Sequence, residues 1–179
     1  ALILETWEKA GRPENVRLLL SAHGLPEQVV ADGDPYQWQV EQTTAALREF
    51  LPAEWEVEIC YQSRVGPLKW IGPATDDAIR QAARDGKAIM IAPIAFVSEH
   101  IETLVELDHE YKLIADEENA TAYIRAPALG VAEGYIETLA DIVQDALADG
   151  TVGDPRSHCG GRICPAEWTE CPNRRLARV

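Results

Sequence analysis

A chain of 179 residues with 46% hydrophobic residues is long enough to bury one ordinary globular core. Its 30 acidic against 16 basic residues give a formal net charge of −14, which repels nucleic acid and anionic membranes and excludes both as main partners. No apolar run approaches the length of a bilayer span and the N-terminus has no charged-then-apolar leader, so the expectation is a soluble, cytoplasmic protein with at most peripheral membrane contact.

Residues 1–10 have helix-like spacing with no clear cap at their start. VRLLLS (16–21) is a short apolar run suited to a buried strand, and it gives way to the Gly- and Pro-bearing loop AHGLPE. Over 35–50 the positions Val40, Thr44, Leu47 and Leu51 fall on one face of a helix. EVEICYQ (56–62) reads as a strand, and SRVGPLKWIGPAT (63–75) is too rich in Gly and Pro for regular structure. Thr75 is expected to cap a helix running to about Arg84, with Asp76 and Asp77 well placed in its first turn. KAIMIAPIAF (87–96) is the next strand, followed by an acidic helix over FVSEHIETLVELDHEY (96–111). AYIRAPA (122–128) is a fourth strand, and Ile136, Leu139, Ala140, Val143 and Leu147 form the apolar stripe of a last helix.

Strands alternating with helices imply right-handed crossovers and a mostly parallel sheet covered on both faces. The expected fold class is therefore α/β, a Rossmann-like three-layer domain with a four-stranded, mostly parallel sheet over residues 1–150. Beyond it the chain turns rich in Gly, Arg and Cys and loses periodicity, so 151–179 are expected to form an irregular, Cys-containing tail.

In such a sheet, ligands bind beyond the carboxyl ends of the strands. SAHGLP, YQSRVGPLKW and VSEHIETLVELD all fall there, which fixes a location for a site without fixing a reaction. At about 100° per residue, Glu99, Glu102, Glu106 and Glu110 lie in one narrow arc. One reading is a solvated acidic face. Against it, Glu102, Glu106 and Glu110 form a like-charged ladder with no cation between them, a pattern suited to binding a divalent ion or moving protons. His23, between a strand and a tight turn, is expected to project into the crevice. His100 is either a partner of the acidic residues or a core histidine, Trp70 is either loop packing or the wall of an aromatic ligand's pocket, and His109 reads as surface. Cys60 stands alone in a strand. The spacing Cys159-x4-Cys164-x6-Cys171 suggests metal or iron–sulfur binding, with untied thiols as the other reading.

SAHGLP, GDPYQWQV, CYQSRVGPLKWIGP and PIAFVSEHIETLVELDHEY, in this order and spacing, resemble the ferrochelatases, in particular bacterial forms of the alphaproteobacterial type, over about residues 12–148. The resemblance implies a chelatase domain that inserts ferrous iron into protoporphyrin IX, the last step of haem synthesis. It implies His23 as metal ligand and proton acceptor, with Glu102 as its partner across the cleft and His100 held beside Glu102. It further implies Glu99, Glu106 and Glu110 along a polar path for protons or cations, on a helix widened by a π-type turn. Ser63, Gly66, Pro67 and Trp70 fall in the segment shaping the porphyrin cleft. Some members hold a [2Fe–2S] cluster through C-terminal cysteines, which points to Cys159, Cys164 and Cys171 and leaves one ligand to find.

Family members have two similar α/β domains with the site between them, and this chain resembles the C-terminal half. The expected partners are protoporphyrin IX, ferrous iron and the N-terminal domain of the same enzyme. The alternatives are a metal- or porphyrin-binding half-domain without turnover, and a related cobalt or nickel chelatase of tetrapyrrole synthesis.

Overall fold

In the computed structural model, which describes residues 1–148 and 162–174, four parallel strands carry the fold in the order β2-β1-β3-β4. They are β1 (Val16–His23), β2 (Glu56–Gln62), β3 (Ala88–Pro93) and β4 (Ala122–Arg125). The two most apolar runs take the centre. Leu18, Leu19 and Leu20 of β1 and Ile89, Met90 and Ile91 of β3 are fully buried, because helices cover both faces of the sheet.

Alternation along the strands sorts side chains into two layers. Leu19, Cys60, Ile89 and Ile91 pack with α4 (Thr75–Arg84) and α6 (Tyr111–Glu117) on one face. Leu18, Leu20 and Met90 meet α1 (Leu2–Lys9) and α3 (Tyr36–Arg48) on the other, through Ile3, Leu4, Trp7 and Leu47. The result is the three-layer α/β arrangement expected from the alternation. A single-turn helix, α2 (Glu27–Ala31), adds to the loop after β1. No described helix is long and apolar enough to cross a membrane.

Several expectations are corrected. Both β3 and β4 stop three residues early, at Pro93 and Arg125, as Pro93 and then Pro127 deny the ladder a donor. Thr75 does not cap α4. Ala74 holds that position, and the Thr75 hydroxyl is buried 3.3 Å from the Ser21 hydroxyl. The acidic helix begins at α5 (Ile101–Leu104), not at Phe96, and is broken by a π-turn over Glu106–Glu110 before α6.

The last helix, α7 (Glu133–Ala148), buries no residue, and its stripe of Ile136, Leu139, Val143 and Leu147 is exposed. The expected boundary at residue 150 lies outside the described residues. The described tail is irregular, as expected, yet seated on the domain. The Glu170 N–H donates to the Gly33 carbonyl, and Thr169 packs so close to Gly33 that a Cβ there would stand 2.3 Å from the threonine oxygen. Only glycine fits at that contact, and its φ of 106° suits glycine as well.

Candidate active site

The sheet reverses direction of growth between β1 and β3, so the crevice beyond their carboxyl ends is the switch point where an open parallel sheet binds ligands. His23 ends β1 and pairs in register with Gln62 at the end of β2, while Ser21 pairs with Pro93 at the end of β3. After His23 the chain must pass close under the loop following β2. A Cβ on Gly24 would lie 3.1 Å from the Gln62 carbonyl and 3.3 Å from the Trp70 ring, which explains the glycine.

His23 Nδ1 lies 2.7 Å from the Gly24 carbonyl oxygen. A carbonyl can only accept, so Nδ1 carries a proton, and Nε2 is the ring nitrogen left facing the crevice. Nε2 stands 3.5 Å from Glu102 Oε1, with both side chains a little over one-third exposed (39% and 37%). His100 closes the other side of Glu102, its Nδ1 3.9 Å from Oε2. That nitrogen also accepts the Glu102 N–H at 3.2 Å and caps α5, while Thr103 Oγ1 accepts the His100 N–H at 2.9 Å. His100 is therefore bound into the backbone that carries Glu102. Phe96, buried, has its ring centroid 6.3 Å from that of His23 and 5.1 Å from that of His100, and fills the space between the imidazoles.

Glu106 is held by four donors. The Ser63 N–H (3.0 Å), the Ser63 hydroxyl (2.7 Å), Gln62 Nε2 (3.3 Å) and the Tyr111 hydroxyl (3.1 Å) all point at its carboxylate. Burial and then the Glu106 charge push the Tyr111 phenol upward, so it stays protonated and donating. Gln62 links this carboxylate to its surroundings. Its Nε2 donates to the Glu102 carbonyl at 2.6 Å, and its Oε1 accepts from the Ser21 hydroxyl at 2.7 Å. Beyond lies a cavity of about 530 Å³ lined by Glu106, Glu110, Ser63, Gly66, Trp70 and Asp76, among others. Pro67 sits in the exposed loop beside it.

The sequence-derived residues thus form two neighbouring groups, His23–Glu102–His100 and Glu106–Ser63, with Glu110, Gly66 and Trp70 around the cavity. Glu99 is elsewhere. It lies ahead of α5, so it does not share the arc of the other acids, and its carboxylate binds the Arg125 guanidinium through both oxygens at 2.6 and 2.7 Å. Burial pushes the Glu99 carboxyl up, and opposing bonds from Arg125, Thr103 and the Ala128 N–H hold it at about 2. The acidic segment therefore has a cation after all, supplied by β4. Sequence reading also missed Gln62, Phe96 and Tyr111. Their signal was weak, since each sits at a position that core packing alone would account for.

Among the described residues, no three or more His, Cys, Asp or Glu side chains gather into a ready metal site. Cys60 is buried in the core, where burial pushes its thiol up to about 12 and leaves it unreactive. In the tail, Cys164 and Cys171 are both free and buried, and the Cys164 thiol is raised by burial and by its neighbour Cys171. The adjacent Arg162 is also buried, donating to the Pro165 and Trp168 carbonyls. Cys159 lies outside the described residues.

Comparison with known proteins brings one family forward. The ferrochelatase family model matches residues 1–147. A ferrochelatase of Caulobacter vibrioides (strain NA1000 / CB15N) is 59% identical over 178 residues, covering 98% of this chain and 50% of the relative. That of Hyphomonas neptunium is 56% identical over 174 residues, covering 97% and 48%, and that of Rickettsia conorii 46% over 159 residues, covering 88% and 46%. The chain spans about half the length of the curated relatives it matches.

Proposed function

The chain belongs to the ferrochelatase family, and from that membership we propose that it is the metal-binding half of an enzyme inserting ferrous iron into protoporphyrin IX to form protohaem. The observation that carries this reading is the orientation of His23. Its Nδ1 proton is committed to the Gly24 carbonyl, and its Nε2 faces the Glu102 carboxylate across the strand-end crevice.

The reaction requires this chemistry. Each Fe²⁺ that enters the macrocycle displaces two pyrrole protons, so a base must stand on the face where the metal arrives. A neutral imidazole can accept one of the two protons, with the imidazolium formed stabilised by the carboxylate beside it, and the second can pass through a carboxylate of the acidic segment to solvent. Before it takes a proton, the same nitrogen forms with the carboxylate oxygen a mixed pair suited to Fe²⁺ that leaves positions free for the porphyrin nitrogens, so metal release from His23 must precede its protonation. His100 orients Glu102. Glu106, fixed by its four donors, and Glu110, further along the cavity, offer carboxylates on the way to solvent. Trp70, Gly66 and Pro67 shape the porphyrin side, with Ser63 acting through Glu106.

The N-terminal half of the same enzyme is proposed as the opposing wall. The exposed apolar stripe of α7 and an apolar groove of about 520 Å³ between α1, α3 and the start of α7 support a missing neighbour of that kind. A macrocycle held on one face cannot be bent, and water competes for the metal ligands. Zinc or iron insertion, followed by loss of porphyrin fluorescence, tests the function. Residues 1–179 alone should show no meaningful turnover, and the full-length protein should turn over. A full-length protein that binds metal or porphyrin without turnover would refute the enzyme and favour a binding half-domain.

A [2Fe–2S] cluster in the tail is the finer part of the proposal. Such clusters take four cysteine thiolates. Cys164 and Cys171 offer two thiols beside a cationic Arg162, which suits an anionic cluster, and Cys159 would be a third. Bound there, it would supply a one-electron couple and tie the tail to the α2–α3 corner.

A further inference from the structure

We infer that Arg125 is the positioning residue that sets Glu102 opposite His23, by clamping both ends of the segment that carries Glu102. The inference rests on the metal-site reading above for its functional consequence, though not for the clamp itself.

Arg125 is the last residue of β4, at the carboxyl end of the sheet's edge strand. Its guanidinium reaches two carboxylates, one ahead of α5 and one within the π-turn. Ahead of α5 it binds Glu99 through two parallel bonds of 2.6 and 2.7 Å. Within the π-turn it meets Asp108, with Nε 3.0 Å from Oδ1 and Nη2 3.2 Å from Oδ2. His100, Glu102 and Glu106 all lie between these anchor points. One edge of the planar fork holds Glu99 through two bonds, and the other meets Asp108 through the Nη2 bond alone, with Nε in ion-pair range but not hydrogen-bonded, an arrangement that a lysine's single ammonium cannot reproduce.

The segment needs such an anchor. From Ile94 to His100 it has no helix or strand, so no ladder fixes where α5 begins. Glu99 is tied further by the Ala128 N–H at 2.8 Å, and the Gly130 N–H donates to the Val97 carbonyl at 2.7 Å, so the chain after β4 joins the same clamp. The Arg125 side chain is only 12% exposed, and a buried guanidinium that lost either carboxylate would be left undercompensated. The three charges therefore hold one arrangement. None of the three lines the cavity beside Glu106, so they act through the position of Glu102.

Co²⁺ added to the full-length protein, read by its visible d–d absorption, together with amide hydrogen exchange, tests the clamp. Arg125→Met should raise exchange over residues 99–108 while β1 and β3 keep theirs, and should weaken Co²⁺ binding by about 10–100-fold, the usual effect of losing an outer-shell partner. Arg125→Lys should recover part of both. If Arg125→Met does not fold, Asp108→Asn releases one leg alone and should shift both readouts in the same direction. Unchanged exchange over 99–108, or unchanged Co²⁺ affinity in a protein whose Co²⁺ spectrum is lost in His23→Ala, overturns the inference. A wild-type protein with no His23-dependent Co²⁺ spectrum instead overturns the metal-site reading, and the exchange data still judge the clamp.

Discussion

His23 Nε2 stands 3.5 Å from Glu102 Oε1, and the two residues come from segments nearly 80 positions apart that the sheet brings side by side. Glu102→Gln removes the carboxylate while keeping its shape, so it should lower porphyrin metallation by about 10²–10⁴-fold, the usual weight of a positioned acid–base group. Glu110→Gln, further along the cavity, should cost only a few-fold. The ratio of the two rates in the full-length protein is the measurement. Equal small losses would return the acidic segment to a solvated face.

Gln62 should matter to stability as much as to the site. It is fully buried and joins Ser21, the Glu102 carbonyl and Glu106. Gln62→Leu takes the amide from the Glu102 carbonyl and leaves the Ser21 hydroxyl with Thr75 alone, at a cost of about 1–3 kcal/mol. Urea denaturation should register a loss of that size. A neutral Gln62→Leu would mean that water replaces the amide.

Acid stability should depend on Glu99. Its carboxyl is held at about 2 in the fold against an ordinary value near 4.5. A depressed folded-state pKa gives stability that is present above about 4.5 and lost as pH falls through that value toward 2. Melting temperature measured between those pH values should fall less steeply in Glu99→Gln than in the parent. Parallel curves would show that the Arg125 pair does not stabilise the carboxylate.

The sheet was legible because β1 and β3 are short, largely apolar runs, and the α3 positions Val40, Thr44 and Leu47, with Leu51 just beyond, are the side of that helix turned inward. Glu102 and Glu106 were legible because a like-charged ladder is costly without a purpose, and His23 because it falls at a strand's carboxyl end before a tight turn. Arg125 was not. Its partner Glu99 is 26 residues away, and no periodicity links a strand end to a loop that precedes a helix. The start of α5 was also misplaced, since nothing local marks the end of the preceding loop, where Phe96 packs against two imidazoles. The stripe of α7 is apolar as expected, yet no residue of it is buried among the described residues.

The tail makes a separate prediction. Anaerobically purified full-length protein should be coloured, with iron and sulfide in equal amounts, and Cys164→Ser or Cys171→Ser should bleach it. Both thiols are buried, so slow alkylation in the parent and fast alkylation in the variants should accompany the loss. A colourless parent with readily alkylated tail thiols would leave these cysteines as packing.

His23→Ala in the full-length protein tests the central claim most directly, with zinc insertion into protoporphyrin followed by fluorescence loss and a thermal melt run in parallel. The His23 side chain is over one-third exposed and bonds only its neighbour's carbonyl and Glu102, so the melt should be nearly unchanged. Metallation should fall to background, because the other imidazole beside Glu102, that of His100, has its Nδ1 occupied by the Glu102 N–H. Appreciable residual turnover with a normal melt would contradict the assignment of His23 as the base that receives the pyrrole protons.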